Sequence, residues 1–295
     1  MTTEKVLELK LKPGEDRRIE GGHCWIFSNE LQEVPSTAEP GCMCQVVYPD
    51  GRPLCWGYFN PKSLIAVRVL SRGAQPPEKD FIRLRLDRAL KYRQSLGLEK
   101  FCRVCFGESD GLPGLVVDAY GDYLTVEILT AGMERLKKEI DAALHYLFSP
   151  KGIVYRNESE FRALEGLVGL NTVSGTVPDI VEVKENGITY LASPLSGQKT
   201  GFYYDQRENR AFLAPYFSGR KVLDLHCFSG GFSFAAAKAG ADKVWGIDTS
   251  AQALELARAG AEKNGFTNIV FNKQDAEEML HAAAHANCRK SLISY

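Results

Sequence analysis

Apolar and polar residues alternate over short distances in residues 1–73, a pattern that predicts short strands joined by turns. Pro49-Asp50-Gly51 separates the strand-like runs Gln45–Tyr48 and Leu54–Tyr58, which indicates a hairpin. Leu64–Leu70 reads as a further strand. No long helical period fits here, so we expect a small β-barrel domain.

The spacing changes to a helical period at residues 78–97, where arginine and lysine crowd the face opposite the apolar positions. Met133–Phe148 has the spacing of a second amphipathic helix. The segments between and after these helices are rich in strand-forming residues. Five strands are predicted, at Cys102–Gly107, Leu115–Asp118, Tyr123–Leu129, Ile153–Asn157 and Thr189–Ala192. We therefore expect residues 74–194 to form a middle α+β domain.

Strands and helices alternate in residues 195–295, which predicts a parallel sheet covered by helices. Asp248-Thr249-Ser250 supplies an N-terminal cap for a helix that begins at Ala251, and Gly265 suits its C-terminal cap. The predicted elements are Val222–Cys227, Phe232–Ala239, Val244–Asp248, Ala251–Asn264, Ile269–Asn272 and Glu277–Ala284. The fold class is α/β, and this last domain is predicted to be an incomplete Rossmann-like sheet.

The loop after the first of these strands indicates a nucleoside-binding pocket at the carboxyl end of the sheet. It contains one glycine pair, Gly230-Gly231, whereas a dinucleotide site needs three spaced glycines. Asp224 would repel a pyrophosphate but suits an ammonium group. These features favour S-adenosyl-L-methionine over NAD or ATP.

Acidic residues close or follow three successive predicted strands. Asp248 is placed to accept the ribose hydroxyls, Asp275 to accept the adenine amino group, and Ala276 to offer a backbone donor. For each acid alone, the structural alternative is a loop cap. The predicted cofactor-binding residues are Asp224, His226, Cys227, Phe228, Gly230, Gly231, Asp248, Thr249, Asp275 and Ala276.

Composition and the distribution of apolar residues argue against secreted, membrane and metal-binding classes of protein. The net charge is −1 and 44% of the residues are hydrophobic, as in ordinary globular proteins. Neither a signal peptide nor an 18-residue apolar span is present, so we expect a cytoplasmic protein without a membrane partner. A zinc site built from Cys42, Cys44, Cys102 and Cys105 is a weaker interpretation than buried thiols, and no metal is predicted.

Basic residues with interleaved aromatics in residues 1–73 predict an RNA-binding face, and the alternative is an ordinary solvated surface. Arg17, Arg18 and Lys62 are the predicted contacts. The basic helix face at residues 78–97 could hold phosphate, although such faces are more often only solvated.

Five sequence motifs occur in order along the chain: Gly22–Ser28, Gly57–Pro61, Gly107–Gly114, Gln198–Phe202 with Asp205–Arg207, and Leu223–Phe232. Together they resemble one family, the class I S-adenosylmethionine-dependent ribosomal RNA methyltransferases that carry an N-terminal PUA domain. This group makes 5-methylcytosine in large-subunit rRNA. The resemblance covers about residues 5–285. Lys199 and Arg207 of the fourth motif are predicted as further RNA contacts.

The resemblance implies a mechanism in which a cysteine thiolate adds to cytosine C6 and makes C5 nucleophilic. In the family, that cysteine and a D-P-P-like motif follow the part matched here, so the catalytic residues are expected downstream of Tyr295. Cys227 and Cys288 are interpreted as packing residues. We expect these 295 residues to be a truncated product that binds the cofactor weakly and does not turn over.

Other hypotheses remain open at this point. A non-catalytic RNA-binding protein would use residues 1–190 alone, and a methyltransferase of proteins or small molecules would not need Arg17, Arg18 or Lys62. An apolar first strand without a fourth-strand neighbour would be an exposed edge. Pairing of two such edges predicts a homodimer.

Overall fold

The computed structural model describes residues 6–197 and 200–285. The chain divides into two compact units, Met1–Val177 and Pro178–Tyr295. The first unit contains the predicted β-rich domain and most of the middle domain. The second contains the parallel sheet.

The first sheet has five strands in the order β1-β3-β4-β5-β2. The predicted hairpin is confirmed, because β3 and β4 pair antiparallel around a turn in which Gly51 has φ +88°. Leu9, Ile26 and Phe59 are among the buried core residues of this sheet. The elements are β1 (Leu7–Lys10), α1 (Arg17–Glu20), β2 (Trp25–Ile26), β3 (Cys42–Val47), β4 (Pro53–Phe59) and β5 (Val67–Arg72).

The second sheet has the order β10-β9-β8-β7-β6, and helices α2 and α4 pack together beside it. The predicted helix over Met133–Phe148 is two helices, because the backbone leaves helical geometry at half-buried Leu136. Strand β10 was not predicted. The elements are α2 (Phe81–Ser95), β6 (Phe101–Phe106), β7 (Leu115–Tyr120), β8 (Tyr123–Ile128), α3 (Ala131–Arg135), α4 (Lys137–Phe148), β9 (Gly152–Tyr155), α5 (Phe161–Leu164) and β10 (Thr172–Gly175).

Buried polar contacts join the two sheets of the first unit. Trp25 Nε1 donates to Glu108 Oε1 over 2.6 Å. Arg68 contacts both Glu108 and Glu165 over 3.2 Å, and Asn60 Nδ2 donates to Glu165 Oε2 over 2.8 Å. We call these five residues the Glu108–Glu165 junction. Because its hydrogen bonds are directional, the junction favours one orientation of the two sheets over others.

The second unit contains a parallel sheet of order β13-β14-β15 and a separate antiparallel hairpin, β11–β12. The helix cap at Ser250 is confirmed, since its hydroxyl accepts from Ala253 N. The elements are β11 (Val181–Glu185), β12 (Ile188–Ala192), α6 (Arg207–Leu213), β13 (Lys221–Leu225), α7 (Gly231–Lys238), β14 (Lys243–Asp248), α8 (Ala251–Lys263), β15 (Ile269–Lys273) and α9 (Ala276–His285).

The hairpin β11–β12 packs on α7 and α8, although the sequence grouped Thr189–Ala192 with the middle domain. Asn264, just after α8, exchanges hydrogen bonds with the backbone of Thr189 over 2.9 and 2.6 Å. The predicted domain boundary at residues 194/195 stays a prediction beside this division into compact units.

Strand β13 pairs with β14 on one side, and its other side has no strand partner among residues 6–197 and 200–285. Self-association through that edge stays a prediction. In the same residues, no helix is long and apolar enough to cross a membrane, and no cluster of histidine, cysteine and acidic side chains is suited to hold a metal.

Candidate functional site

A cavity of about 380 Å³ opens at the carboxyl ends of β13 and β14. Six of its lining residues were predicted from the sequence: His226, Cys227, Phe228, Gly231, Asp248 and Thr249. Six others were missed: Phe202, Tyr203, Gln206, Arg210, Ser229 and Phe232. The position agrees with the general rule that open α/β sheets bind ligands at the carboxyl ends of their strands.

The loop between β13 and α7 has an unusual backbone. His226 (φ 59°), Phe228 (φ 49°) and Gly230 (φ 86°) are all left-handed, a conformation that non-glycine residues seldom adopt. The hydrogen bond from Cys227 N to Ile247 O, 2.9 Å long, holds the loop against β14. Such strain persists only where the surroundings enforce it, and it is concentrated at functional sites.

Asp248 ends β14 and fixes the loop from the opposite side. Its Oδ2 accepts from Phe228 N and its Oδ1 from Ser250 N, both over 2.8 Å. A carboxylate oxygen can accept more than one hydrogen bond, so Asp248 retains capacity for ligand hydroxyls. Its predicted position at the strand end is confirmed, and its ligand contact stays a prediction.

Asp224 is the next-to-last residue of β13 and is not among the cavity-lining residues. Its Oδ2 accepts from Ser233 Oγ over 2.6 Å. Burial raises the pKa of Asp224 to about 6, although the hydrogen bonds from Ser233 oppose that shift. Its charge is therefore poorly compensated within the protein and would be stabilised by a nearby cation.

Two further side chains of this loop, those of Ser229 and Cys227, affect what the cavity can bind and do chemically. Ser229 Oγ is buried at the cavity and has no hydrogen-bond partner in the described part of the chain. An orphaned buried hydroxyl is rare in proteins. Burial, followed by the charges of Asp224 and Asp248, raises the pKa of the Cys227 thiol well above its usual value. Cys227 is therefore protonated at neutral pH and poorly suited to be a nucleophile.

The opposite wall comes from α6 and the segment before it. The Tyr203 ring meets Phe228 edge to face at 5.3 Å. Arg210 is buried and bidentate to Glu185, with both hydrogen bonds 2.7 Å long, and it also donates to Tyr203 O. The Arg210 guanidinium is thus held by an acid of the protein, while Phe202 and Tyr203 give this wall its aromatic surface.

Besides Asp224, three predicted cofactor residues are not among those that line the cavity. Gly230 is not among the lining residues, and a Cβ there would come within 2.8 Å of the Phe234 ring. Asp275 Oδ1 accepts from Glu277 N and Glu278 N over 2.8 and 3.3 Å, the helix-capping alternative already considered from the sequence. Ala276 is buried as the first residue of α9. Cofactor binding by these three stays a prediction.

The predicted RNA contacts have different surroundings. Arg17 and Lys62 are exposed. Arg18 is an exposed residue that pairs with Glu30 at 3.4 Å and covers the Phe27 ring. Arg207 is mostly buried and pairs with Glu185 at 3.1 Å. Lys199 lies outside the described residues, as does Cys288. RNA contact by the five predicted residues stays a prediction.

Two family models match the chain. Residues 9–72 match a PUA-like domain and residues 217–291 match a methyltransferase domain. The matches coincide with the first sheet and with the parallel sheet that carries the cavity. The predicted PUA-like and Rossmann-like methyltransferase folds are confirmed.

Curated relatives match most of the chain. The protein named ribosomal RNA large subunit methyltransferase I from Shewanella denitrificans is 36% identical over 279 residues, 92% of this chain and 70% of that protein. The protein of the same name from Aeromonas salmonicida is also 36% identical over 279 residues, with the same two shares.

Solved structures share the fold. A proposed SAM-dependent methyltransferase from Streptococcus mutans superposes with a TM-score of 0.79 at 20% identity, covering 95% of this chain and 74% of that one. Another proposed methyltransferase, crystallised with SAH, has a TM-score of 0.79 at 19% identity and covers 95% and 73%. The identity and coverage of the curated relatives establish that the chain belongs to the ribosomal RNA large subunit methyltransferase I family.

Proposed function

We propose that this chain binds S-adenosylmethionine in the cavity beside Asp248 and acts in the methylation of ribosomal RNA, at C5 of a cytosine in the large subunit. Family membership supports the reaction class and the RNA substrate. The observation that carries the cofactor assignment is the pair of carboxylates at the carboxyl ends of β13 and β14, Asp224 and Asp248, which form no ion pair within the described residues.

The residues present fit this cofactor. Ribose hydroxyls would donate to the spare acceptor capacity of Asp248, and the orphaned Ser229 hydroxyl would gain a partner. The ammonium and sulfonium charges would offset the partly buried negative charge of Asp224. Phe228 and Tyr203 supply flat apolar surface of the kind that adenine rings contact. When bound, the cofactor supplies an electrophilic methyl group.

In this proposal, the backbone and side chains of the protein bind the cofactor and orient it. The left-handed loop backbone, fixed through Phe228 N and Cys227 N, places Asp248 and Ser229 around one cavity. Preorganised groups of this kind keep the orientation of a reactive group without rearranging during the reaction. Because the Cys227 thiol stays protonated, we do not assign it the nucleophilic role that cytosine C5 methylation requires.

The cofactor assignment is tested by calorimetry of S-adenosylhomocysteine binding to the full chain. Asp248→Ala removes an acceptor of charge-assisted hydrogen bonds and is expected to weaken binding roughly tenfold or more. Asp242→Ala is the matched control, since Asp242 is exposed and lies just before the opposite end of the same strand. Binding of NAD in place of S-adenosylhomocysteine would overturn the assignment.

The reaction is tested separately with labelled cofactor and ribosomal RNA. Nucleoside analysis of any methylated RNA should identify 5-methylcytidine. A methylated nucleoside of another kind would retain the methyltransferase assignment and refute the cytosine C5 assignment. Label recovered only in protein or small molecules would refute the RNA substrate.

A further inference from the structure

The Gly107–Gly114 motif has a structural role that the cofactor site does not explain. Glu108 accepts from Trp25 and Arg68. Asp110 is bidentate to Arg93 and its Oδ2 also accepts from Phe106 N over 2.7 Å. The two acids of the motif are thus committed to internal contacts, and Ser109 between them is exposed.

Beside this turn, a cavity of about 360 Å³ is lined mainly by residues of α2. The side chains that line it carry more positive than negative charge. Arg85, Arg88 and Arg93 line it together with a single acid, Asp110, which is already paired with Arg93. Arg85 donates to the carbonyls of Gly111 and Leu70, so it is fixed without being neutralised by a carboxylate. No ion pair to Arg88 occurs among residues 6–197 and 200–285.

Exposed aromatic rings accompany these charges. Tyr92 lines the same cavity and is 60% exposed, and Phe106 beside Asp110 is 53% exposed. Arg93 lies over the Tyr92 ring at 5.5 Å and Arg103 over the Phe106 ring at 5.3 Å. The combination of exposed aromatic rings with arginine is typical of surfaces that bind single-stranded nucleic acid.

We propose that the surface formed by Arg88, Tyr92, Phe106 and Ser109 binds single-stranded RNA, with phosphate at Arg88 and a base stacked on Tyr92. The inference rests on the proposed RNA substrate and adds a contact surface in the middle domain. An acidic peptide would pair with Arg88 but would not use the face of Tyr92, so the aromatic rings favour RNA. The preformed Arg93–Asp110 pair holds Tyr92 and Ser109 in place for this contact.

The test measures binding of a labelled oligouridylate to the full chain at several salt concentrations. Arg88→Glu should weaken binding and lower the salt dependence by about one phosphate contact. Tyr92→Ala should weaken binding about tenfold, within the range measured for loss of one base–aromatic stack.

Matched controls exist on α2 and on α4, which packs against it. Lys91→Glu makes the same charge change on α2 at an exposed residue that does not line the cavity. Tyr146→Ala removes an exposed tyrosine of α4 that also lies beneath an arginine, Arg83. Both variants should bind oligouridylate like the parent chain.

Equal losses in the test and control variants, or an unchanged affinity in Tyr92→Ala, would overturn the proposal. Tighter binding of polyglutamate than of oligouridylate at this surface would also overturn it. Calorimetry with S-adenosylhomocysteine on the same variants separates the two proposals. Intact cofactor binding with no effect of Arg88 or Tyr92 on RNA refutes the surface alone, whereas loss of cofactor binding in the parent chain refutes the proposed function.

Discussion

Carboxylates at the Glu108–Glu165 junction and at the proposed cofactor cavity have different partners. At the junction, Glu165 accepts from Arg68, Asn60 and the backbone of Ala131, and its side chain is only 4% exposed. Every charge there has an opposite charge within ion-pair distance. Such an arrangement balances the desolvation of the buried acid.

Asp248 at the cavity and Asp224 on the neighbouring strand accept from backbone N–H groups and from a hydroxyl, and neither forms an ion pair in the described part of the chain. The second unit does pair acids elsewhere, as Glu185 does with Arg210 at 2.7 Å. The difference is therefore local to the cavity. It indicates that the negative charge there is retained for a ligand, whereas the junction acids are retained for structure.

The largest change in stability is expected when Glu165, the buried acid of the junction, is removed. Glu165→Ala leaves Asn60 and half of the Arg68 guanidinium without a partner in a buried site, and should destabilise the first unit by about 3 kcal/mol. Urea unfolding followed by tryptophan fluorescence measures the change, and hydrogen exchange assigns it to the first unit.

The control for this prediction is Asp50→Ala, which breaks an exposed ion pair with Arg52 in the same unit. Solvent screens that pair, so little change is expected. If Glu165→Ala behaved like the control, the junction would not be a stabilising network.

Removing the charge of Asp224 is expected to change the stability in the opposite direction. Asp224→Asn removes a partly buried, poorly compensated charge and keeps a side chain that Ser233 can bond, so it should stabilise the second unit by about 1 to 3 kcal/mol near pH 7. The same substitution should weaken binding of S-adenosylmethionine. A variant that is both less stable and still binds would contradict the comparison.

The pH dependence of this gain follows from the direction of the pKa shift. The folded-state pKa, about 6, lies above the usual value of 3.8, so the folded protein favours the protonated acid. The penalty for ionising Asp224 is absent below about pH 4, increases between about pH 4 and 6, and is complete above that range. Unfolding measured across this range should show the stabilising effect of Asp224→Asn disappearing as the pH falls.

Local signals were sufficient to predict most of the second unit. Its strands and helices follow from apolar runs bounded by glycine, and Ser250 caps α8 because a hydroxyl precedes the first turn. The break at Leu136 was missed, since the residue keeps the apolar helical spacing on both sides. Strand β11 was missed as well, although Val181, Val183 and Glu185 are buried in alternation and gave a usable period-two signal.

The cavity was predicted only in part because its walls are distant in the sequence. The loop residues around Phe228 follow a recognisable strand and glycine pair. Tyr203 and Arg210 reach the same cavity through tertiary packing, for which the dense aromatic run before α6 was the one available sign. For Asp275, the sequence could not decide between a helix cap and a ligand contact, because both need an acid after a strand.

The smallest change in stability is expected for Gly260→Ala. This substitution distinguishes the influence of helix propensity from that of packing in the second unit. Gly260 lies inside α8, where alanine would ordinarily stabilise a helix by about 1 kcal/mol. A Cβ there would stand 2.8 Å from the ring of Phe234, which is fully buried and stacked on Tyr190. We expect Gly260→Ala to destabilise the unit by about 1 kcal/mol, since a close-packed core accommodates added volume poorly.

A double-mutant cycle identifies the cause of that loss. Phe234→Leu shortens the facing side chain, so adding Gly260→Ala in that background should cost less than it does in the parent chain. Glu262→Ala, on the exposed face of the same helix, should leave the free energy of unfolding nearly unchanged. A stabilising Gly260→Ala in the parent chain would mean that the Phe234 ring shifts easily. The aromatic packing beside the cofactor cavity would then be less rigid than the polar Glu108–Glu165 junction.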